Sequence, residues 1–164
     1  MQSAMRGHAL SRVVLVARDV TPGFPGPALA DFDPPDWELV VAGRQNVLLQ
    51  GAEPALDAAV TLLRQQLGGP FQHWLAGSGS PLPPRLPGVL FLSQVDACSE
   101  AEQQLLLEWL QETDCRVQVV STTTRRLSEL VERGEFRADL YYRLNIVLLE
   151  LIATSDATLA GLRR

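Results

Sequence analysis

Two arginines six positions apart, Arg137 and Arg143, are the residues of this chain best suited to chemistry. A guanidinium is planar and permanently charged, and its fork of N–H donors suits the charge that develops on a transferring phosphoryl group. A simpler interpretation is also open. If a helix begins near Ala138, Asp139 and Arg143 form a surface ion pair one turn apart, beside a buried apolar face.

The stretch that contains these arginines is specific. Residues 136–145 read Phe-Arg-Ala-Asp-Leu-Tyr-Tyr-Arg-Leu-Asn, which resembles F-R-x-D-L-Y-Y-R-L-N, a signature of the AAA+ domain of bacterial sigma-54-dependent transcriptional activators, also called enhancer-binding proteins. The resemblance implies a P-loop NTPase-like core. It also implies that Arg137 and Arg143 reach across a subunit interface towards the nucleotide of the neighbouring subunit. These two residues are therefore the candidate catalytic residues, as arginine fingers in trans.

A second candidate site follows an apolar run that ends at Gly51, after which a helix with Pro54 near its first turn is predicted. Strand, glycine and helix in this order form phosphate-binding loops. In the resembled family this place holds a Walker A loop, but Asp57 stands where the family has its lysine. All 14 basic residues of the chain are arginine, so no shifted alignment restores a lysine. The carboxylates of Glu53 and Asp57 are better explained by the helix dipole.

The apolar strand Gly88–Val95 resembles the Walker B strand of the family, G-T-L-F-L-D-E-I, with Ser93 and Gln94 in place of its two carboxylates. Aspartate would order Mg²⁺ and glutamate would polarise the attacking water, and a hydroxyl and an amide do neither at neutral pH. Thr124 replaces the asparagine that senses the γ-phosphate in the family. We therefore expect no cofactor and no metal, with ATP and Mg²⁺ bound only if binding is atypical. The vestigial nucleotide-binding residues are Gly51, Asp57, Ser93, Gln94 and Thr124.

The elements that would position these residues alternate between strands and helices, which predicts an α/β fold with a mainly parallel sheet flanked by helices. Between Leu67 and Gly88 glycine and proline are dense, and we expect an irregular connection with a short turn around residues 71–75. The second core strand and the G-A-F-T-G-A loop of the family are not expected there. Short apolar and β-branched runs predict strands at 13–17, 37–41, 46–51, 88–95, 116–121 and 146–149.

Composition limits the classes of function. The chain has 164 residues, is 46% hydrophobic and 20% charged, and carries a net charge of −5, as a soluble globular domain does. This acidic balance argues against direct binding to DNA or to an anionic membrane. Cys98 and Cys115 make no disulfide framework and, with His8 and His73, no metal-ligand pattern. No apolar run is long enough for a secretory leader or a membrane span, so a cytoplasmic location is expected.

The resemblance sets the expected organisation and function. Residues 1–43 form an N-terminal segment of uncertain role, 44–152 a degenerate AAA+-like sigma-54 interaction core, and 153–164 a tail, without the lid and DNA-binding domains of the family. We expect a non-hydrolysing regulatory or interaction module in transcription control, whose candidate partners are active sigma-54 activator subunits. Contact with the sigma factor of RNA polymerase is not expected without the G-A-F-T-G-A loop. Two alternatives stay open: an atypical ATP-binding ATPase of the same family, and a decayed fragment without activity.

Overall fold

The structure, a computed structural model, describes residues 12–18, 40–42, 44–112 and 116–154. Within these ranges strands and helices alternate along the chain. The strands are β1 (Arg12–Arg18), β2 (Val47–Gly51), β3 (Phe71–Leu75), β4 (Gly88–Ser93), β5 (Val117–Thr123) and β6 (Val147–Thr154). The helices are α1 (Glu53–Gln66), α2 (Glu100–Gln111), α3 (Leu127–Glu132) and α4 (Ala138–Leu144), with a 3-10 turn at Val95–Ala97.

The six strands form one parallel sheet in the order β1-β6-β2-β5-β4-β3. β2 lies near the centre, where Val47 is level with Val147 of β6 and with Val120 of β5. A parallel sheet that is covered on both faces requires strands made almost wholly of apolar residues, and β4 is buried from Gly88 to Leu92. The predicted α/β fold with a parallel sheet flanked by helices is therefore confirmed.

Helix α1 covers one face of the sheet. Its Leu56 and Leu63 are buried in one apolar cluster with Val47 and Leu49 of β2, and Val60 packs against the same cluster while remaining partly exposed. This arrangement confirms that the helix keeps an apolar face at positions i, i+4 and i+7. Helices α2, α3 and α4 contribute to a second cluster on the opposite face. The sheet therefore separates the helix that would carry a phosphate-binding loop from the helix that follows Arg137.

The prediction of an irregular turn at residues 71–75 was wrong. This segment is β3, an edge strand that pairs in parallel with β4, from Phe71 opposite Val89 to Leu75 opposite Ser93. Among its side chains only Trp74 is buried, so the sequence lacks the apolar alternation that marks a strand. A strand that was not expected between α1 and β4 is therefore present, and its pairing with β4, not the hydrophobic pattern of its sequence, determines its structure.

The short crossover from β3 to β4 is held by two tryptophans. The indole N–H of Trp74 donates to the carbonyl oxygen of Ser80 at 2.9 Å, and that of Trp109 donates to the carbonyl oxygen of Pro83 at 2.9 Å. Arg85 adds an ion pair with Glu112 at 2.7 Å. These contacts attach the crossover to β3 and to α2, and the crossover itself contains no helix.

The N-terminal region has one confirmed and one corrected element. β1 agrees with the strand predicted at residues 13–17, and it pairs in parallel with β6 at the edge of the same sheet. The strand predicted at 37–41 is not observed where it can be checked, since Val40 and Val41 lie in a helical turn and residues 37–39 fall outside the described ranges. The predicted domain boundaries at residues 43 and 152 stay predictions.

Candidate functional site: a carboxyl-edge cleft and a separate arginine helix

A cleft of about 210 Å³ opens beside α1, where β4 and β5 reach their carboxyl ends. In open parallel sheets this edge is the usual place for a ligand, because loops and helix N-termini converge there. Phe91 lies in the wall of the cleft, with the guanidinium of Arg64 4.8 Å from the centre of its ring. The polar side chains that line the cleft include Glu53, Asp57, His73, Ser93, Gln94 and Thr124.

The N-terminal turn of α1 brings negative charge to the cleft. Glu53 and Asp57 are exposed there, one turn apart, and the helix begins after Ala52 without a side-chain cap. The amide of Gln94 donates to Glu53 Oε1 at 3.4 Å, a contact between α1 and the end of β4. A phosphate group in this position would meet two carboxylates and would compete with that hydrogen bond.

Gly51 has a packing reason that is independent of any nucleotide. A Cβ atom at this position would lie 2.7 Å from the carbonyl oxygen of Leu151 and 2.8 Å from its Cβ atom, both in the neighbouring strand β6. Such distances are shorter than van der Waals contact allows. The one glycine that this chain shares with a Walker A loop is therefore required by the close approach of β2 and β6.

Ser93 and Gln94 mark the end of β4. Ser93 Oγ lies 2.7 Å from Nε2 of His73, on the neighbouring edge strand. Gln94 has a positive φ of 56°, and its main-chain N–H donates to Thr122 Oγ1 at 3.2 Å. His73 was not recognised as a site residue from the sequence, because no pattern predicted the strand that carries it.

Thr124 lies exposed at the mouth of the cleft, just beyond β5. Oγ1 of the buried residue before it, Thr123, lies 2.9 Å from Asp96 Oδ1 and 2.8 Å from the carbonyl oxygen of Arg125, so its single proton can be donated to either acceptor. These hydrogen bonds fix the turn between β5 and α3. The structure therefore brings Asp57, Ser93, Gln94 and Thr124 around one cleft, whereas Gly51 of the same predicted set is not among its lining residues.

The residues around the cleft do not fit a magnesium–triphosphate. Ser93 and Gln94 are uncharged where the resembled Walker B strand has two carboxylates, and the first turn of α1 carries Glu53 and Asp57 but no lysine, so Arg64 is the one cation among the lining residues. In the part of the chain that the structure describes, no three His, Cys, Asp or Glu side chains converge as metal ligands. Burial raises the pKa of the Cys98 thiol to about 12, which favours the protonated thiol at neutral pH. Cys115 lies outside the described residues.

Arg137 and Arg143 lie on the opposite side of the sheet from α1 and do not line the cleft. Arg137 directly precedes α4, and Arg143 is in its last turn. Leu140 and Leu144 are fully buried, which confirms the predicted apolar side of this helix. The chain's own cleft and its two candidate arginine fingers are therefore separate regions.

The predicted ion pair between Asp139 and Arg143 was wrong. Asp139 accepts two hydrogen bonds from Arg137 instead, at 3.1 Å from Nε and 2.9 Å from Nη2. These bonds raise the pKa of Arg137 and lower the pKa of Asp139. Because Arg137 stands just before the helix, its fork meets the first-turn carboxylate in a bidentate geometry that Arg143 does not reach. No ion pair to Arg143 is found among the described residues.

Apolar side chains accompany Arg143 at the surface. Tyr142 is 63% exposed and Ile146 is 47% exposed, on either side of that arginine in the chain. Exposed apolar residues of this kind are common on folded proteins. Within the described ranges no helix has the length and apolarity needed to cross a membrane.

Sequence comparison gives the same family as the motifs. Residues 79–153 match the family model described as the Sigma-54 interaction domain. The transcriptional regulatory protein GlrR of Escherichia coli is 39% identical over 82 residues, which cover 43% of this chain and 18% of GlrR. The Nif-specific regulatory protein of Herbaspirillum seropedicae is 42% identical over 71 residues, 37% of this chain and 13% of that protein. The chain therefore matches less than a fifth of the length of either relative.

Solved structures share the fold. NtrX from Brucella abortus in complex with ATP superposes with a TM-score of 0.61 and 20% identity, over 79% of this chain and 37% of NtrX. The P-loop NTPase domain of the Sigma-54 transport activator from E. coli gives a TM-score of 0.51 and 18% identity, over 74% of this chain and 95% of that domain. At these identities the likeness concerns the fold alone, and that fold is the one built here around β2, β4 and β5.

Proposed function

We propose that this chain, whose residues 79–153 match the Sigma-54 interaction domain, is related to the AAA+ modules of sigma-54-dependent activators and acts as a non-hydrolysing regulatory module in transcription control. It joins rings of active sigma-54 activator subunits and presents Arg137 and Arg143 to the nucleotide of a neighbour. The single observation that carries this proposal is the contrast between a cleft that has Asp57, Ser93 and Gln94 in place of the lysine and carboxylates of the resembled family, with Arg64 as its one lining cation among the described residues, and the helix α4, whose signature with Arg137 and Arg143 is complete.

The cleft supports the first part of the proposal. Its Asp57 stands at the position of a phosphate-binding lysine, and the chain contains no lysine at all. Gln94 donates to Glu53 at 3.4 Å, which joins the end of β4 to the first turn of α1. Phosphoryl transfer depends almost entirely on positioning and on charge neutralisation by a lysine and Mg²⁺. A site without the lysine and without the magnesium carboxylate loses both contributions.

The helix α4, with Arg137 just before it and Arg143 in its last turn, supports the proposed contact with a neighbouring subunit. Arg143 is exposed without an ion pair in the described residues, and the Arg137–Asp139 pair is about half exposed, with 40% and 52% of the two side chains accessible. Neither guanidinium is committed to the core of its own subunit. An arginine supplied in trans is worth about 10³ to 10⁵ in rate. One such subunit is therefore enough to alter turnover at the adjacent site of a ring.

The absence of nucleotide binding is tested by titration of the purified chain with a fluorescent ATP analogue and Mg²⁺. We expect no saturable binding in the micromolar range, with a hydrolysing activator domain as the positive control. A micromolar dissociation constant that unlabelled ATP competes away would contradict the proposal. Phosphate release that a Gln94→Ala change abolishes would favour the atypical ATPase instead.

The role of the arginines is tested by mixing the chain with an active sigma-54 activator and measuring the ATPase rate of the mixture. The parent protein is expected to change turnover per active subunit, and the double variant Arg137→Ala, Arg143→Ala is expected to lose that effect. Arg133→Ala is the matched control, because Arg133 is an exposed arginine at the end of α3. If the double variant acts as the parent does, the arginines have no role. If neither protein has an effect, the decayed-fragment interpretation is left.

A further inference from the structure

Gln103 of α2 connects that helix to the segment that carries Arg137. Its side chain is only 4% exposed. Nε2 donates to the carbonyl oxygens of Cys98 at 3.2 Å and Glu135 at 3.1 Å, and Oε1 accepts from the main-chain N–H of Arg137 at 2.9 Å. The turn after β4, helix α2 and the loop before α4 therefore meet at one buried amide.

The partners of Gln103 determine the orientation of its amide. A carbonyl oxygen only accepts hydrogen bonds and a main-chain N–H only donates them, so a flipped amide would face both carbonyls with an acceptor. One orientation satisfies all three contacts. Glutamate would lose the donors and leucine would lose every contact, although both have a similar size. The site therefore requires an acceptor and two donors on one side chain.

The main chain of Arg137 is held from two directions. Gln103 binds its N–H, and its carbonyl oxygen accepts from the N–H of Tyr141 at 3.0 Å in the first turn of α4. Among the described residues the guanidinium is bound only by Asp139, an interaction at the surface that a competing anion can replace. The backbone of Arg137 is thus fixed while its charged end remains available.

From this geometry we infer that Gln103 is a positioning residue for Arg137, because it fixes the main chain from which the guanidinium reaches a neighbouring subunit. The consequence for a ring rests on the proposed function, whereas the restraint itself concerns this chain alone. A merely structural Gln103 would loosen the whole domain when replaced. If Gln103 positions Arg137, its replacement reduces protection from amide hydrogen exchange mainly in the loop before α4.

The restraint is tested by amide hydrogen exchange of the whole chain, with Gln103→Leu compared with Leu63→Ala. Leu63 is a fully buried residue of α1, on the opposite face of the sheet, so its truncation lowers global stability without touching the loop. In Gln103→Leu, the exchange rate of the Arg137 amide is expected to rise, relative to the parent, at least about fivefold more than that of the Leu48 amide in the central strand β2. The inference would be overturned if the Arg137 and Leu48 amides of Gln103→Leu were accelerated equally, or if Leu63→Ala also accelerated the Arg137 amide more than the Leu48 amide.

A second measurement separates this inference from the proposed function. In mixtures with an active sigma-54 activator, Gln103→Leu is expected to lose most of the effect of the parent on kcat while leaving KM for ATP unchanged, since the neighbour holds the nucleotide. Leu63→Ala is expected to keep that effect when each variant is assayed at the same interval below its own melting temperature. If the parent changes turnover and Gln103→Leu does so equally, the positioning role fails and the proposed function stands. If local exchange rises but no protein affects turnover, the restraint stands and the proposed function fails.

Discussion

The cleft beside α1 and the helix that follows Arg137 rest on the same kind of apolar frame but differ in their polar residues. Leu63 of α1 and Leu144 of α4 are both fully buried, and each belongs to one of the two clusters that cover the sheet. At the cleft, Asp57 and Gln94 depart from the residues that the family signature has. At α4, Arg137 and its surroundings agree with that signature.

The difference shows that packing and chemistry are separable in this fold. Burial of leucine and valine stabilises both regions without regard to what the exposed polar groups do, since the hydrophobic contribution depends on area removed from water. Polar residues at the cleft contribute little to that frame and can change independently of it. In the resembled family the cleft binds the nucleotide of its own subunit, whereas the arginines reach the nucleotide of a neighbouring subunit. The region that departs from the signature is therefore the one that corresponds to the subunit's own nucleotide site.

The largest expected effect comes from removing the shared frame. Leu63→Ala and Leu144→Ala should each lower the free energy of unfolding by about 2 to 5 kcal/mol, because each truncation leaves a cavity in a close-packed cluster. Urea denaturation followed by circular dichroism measures both. Leu105→Ala is the control, since Leu105 is 57% exposed on α2 and its truncation should stay within about 0.5 kcal/mol. A parental midpoint for either buried variant would mean that its helix is not part of the frame.

A smaller effect is expected at the glycine that the cleft shares with a phosphate-binding loop. Gly51→Ala should destabilise the fold by about 1 to 3 kcal/mol, because the added methyl group meets Leu151 of β6 at 2.7 to 2.8 Å. Gly68→Ala is the matched control, as a Cβ atom there meets nothing within 4 Å. Thermal unfolding of the two variants in parallel gives the comparison. A neutral Gly51→Ala would show that packing is not what requires this glycine.

The smallest effect concerns the arginine side of the comparison and depends on pH. Hydrogen bonds from Arg137 hold the pKa of Asp139 below its ordinary value, so the pair stabilises the fold at neutral pH and this contribution is lost as the pH falls through the lowered pKa. Asp139→Asn should therefore melt slightly below the parent at neutral pH, by at most about 2 °C because the pair is exposed, and the gap should close in acid. Glu132→Gln, on the exposed side of α3, is the control. A gap that widens on acidification would reverse the assigned sign.

How far the sequence predicts the fold depends on whether a residue's neighbours along the chain are also its neighbours in space. The faces of α1 and α4 were predicted correctly, because a helix repeats every 3.6 residues and its buried side is legible from spacing. β3 was missed, because an edge strand with one buried side chain carries no such period. The partner of Asp139 was also wrong: the helix start near Ala138 was predicted correctly, but spacing allows an arginine on either side, and only the side-chain geometry of the structure selects Arg137.

The sequence by itself determined the family signature around Arg137 and Arg143, the departures at Asp57, Ser93, Gln94 and Thr124, and the alternation of strands and helices. These are properties of residue identity and local order, which need no knowledge of distant contacts. Only the tertiary structure decided that His73 meets Ser93, that Gln94 reaches Glu53, that Gly51 is required by Leu151, and that Gln103 binds the main chain of Arg137. Each of these contacts joins residues 20 or more positions apart, and strand order and crossover geometry, rather than sequence spacing, bring such residues together.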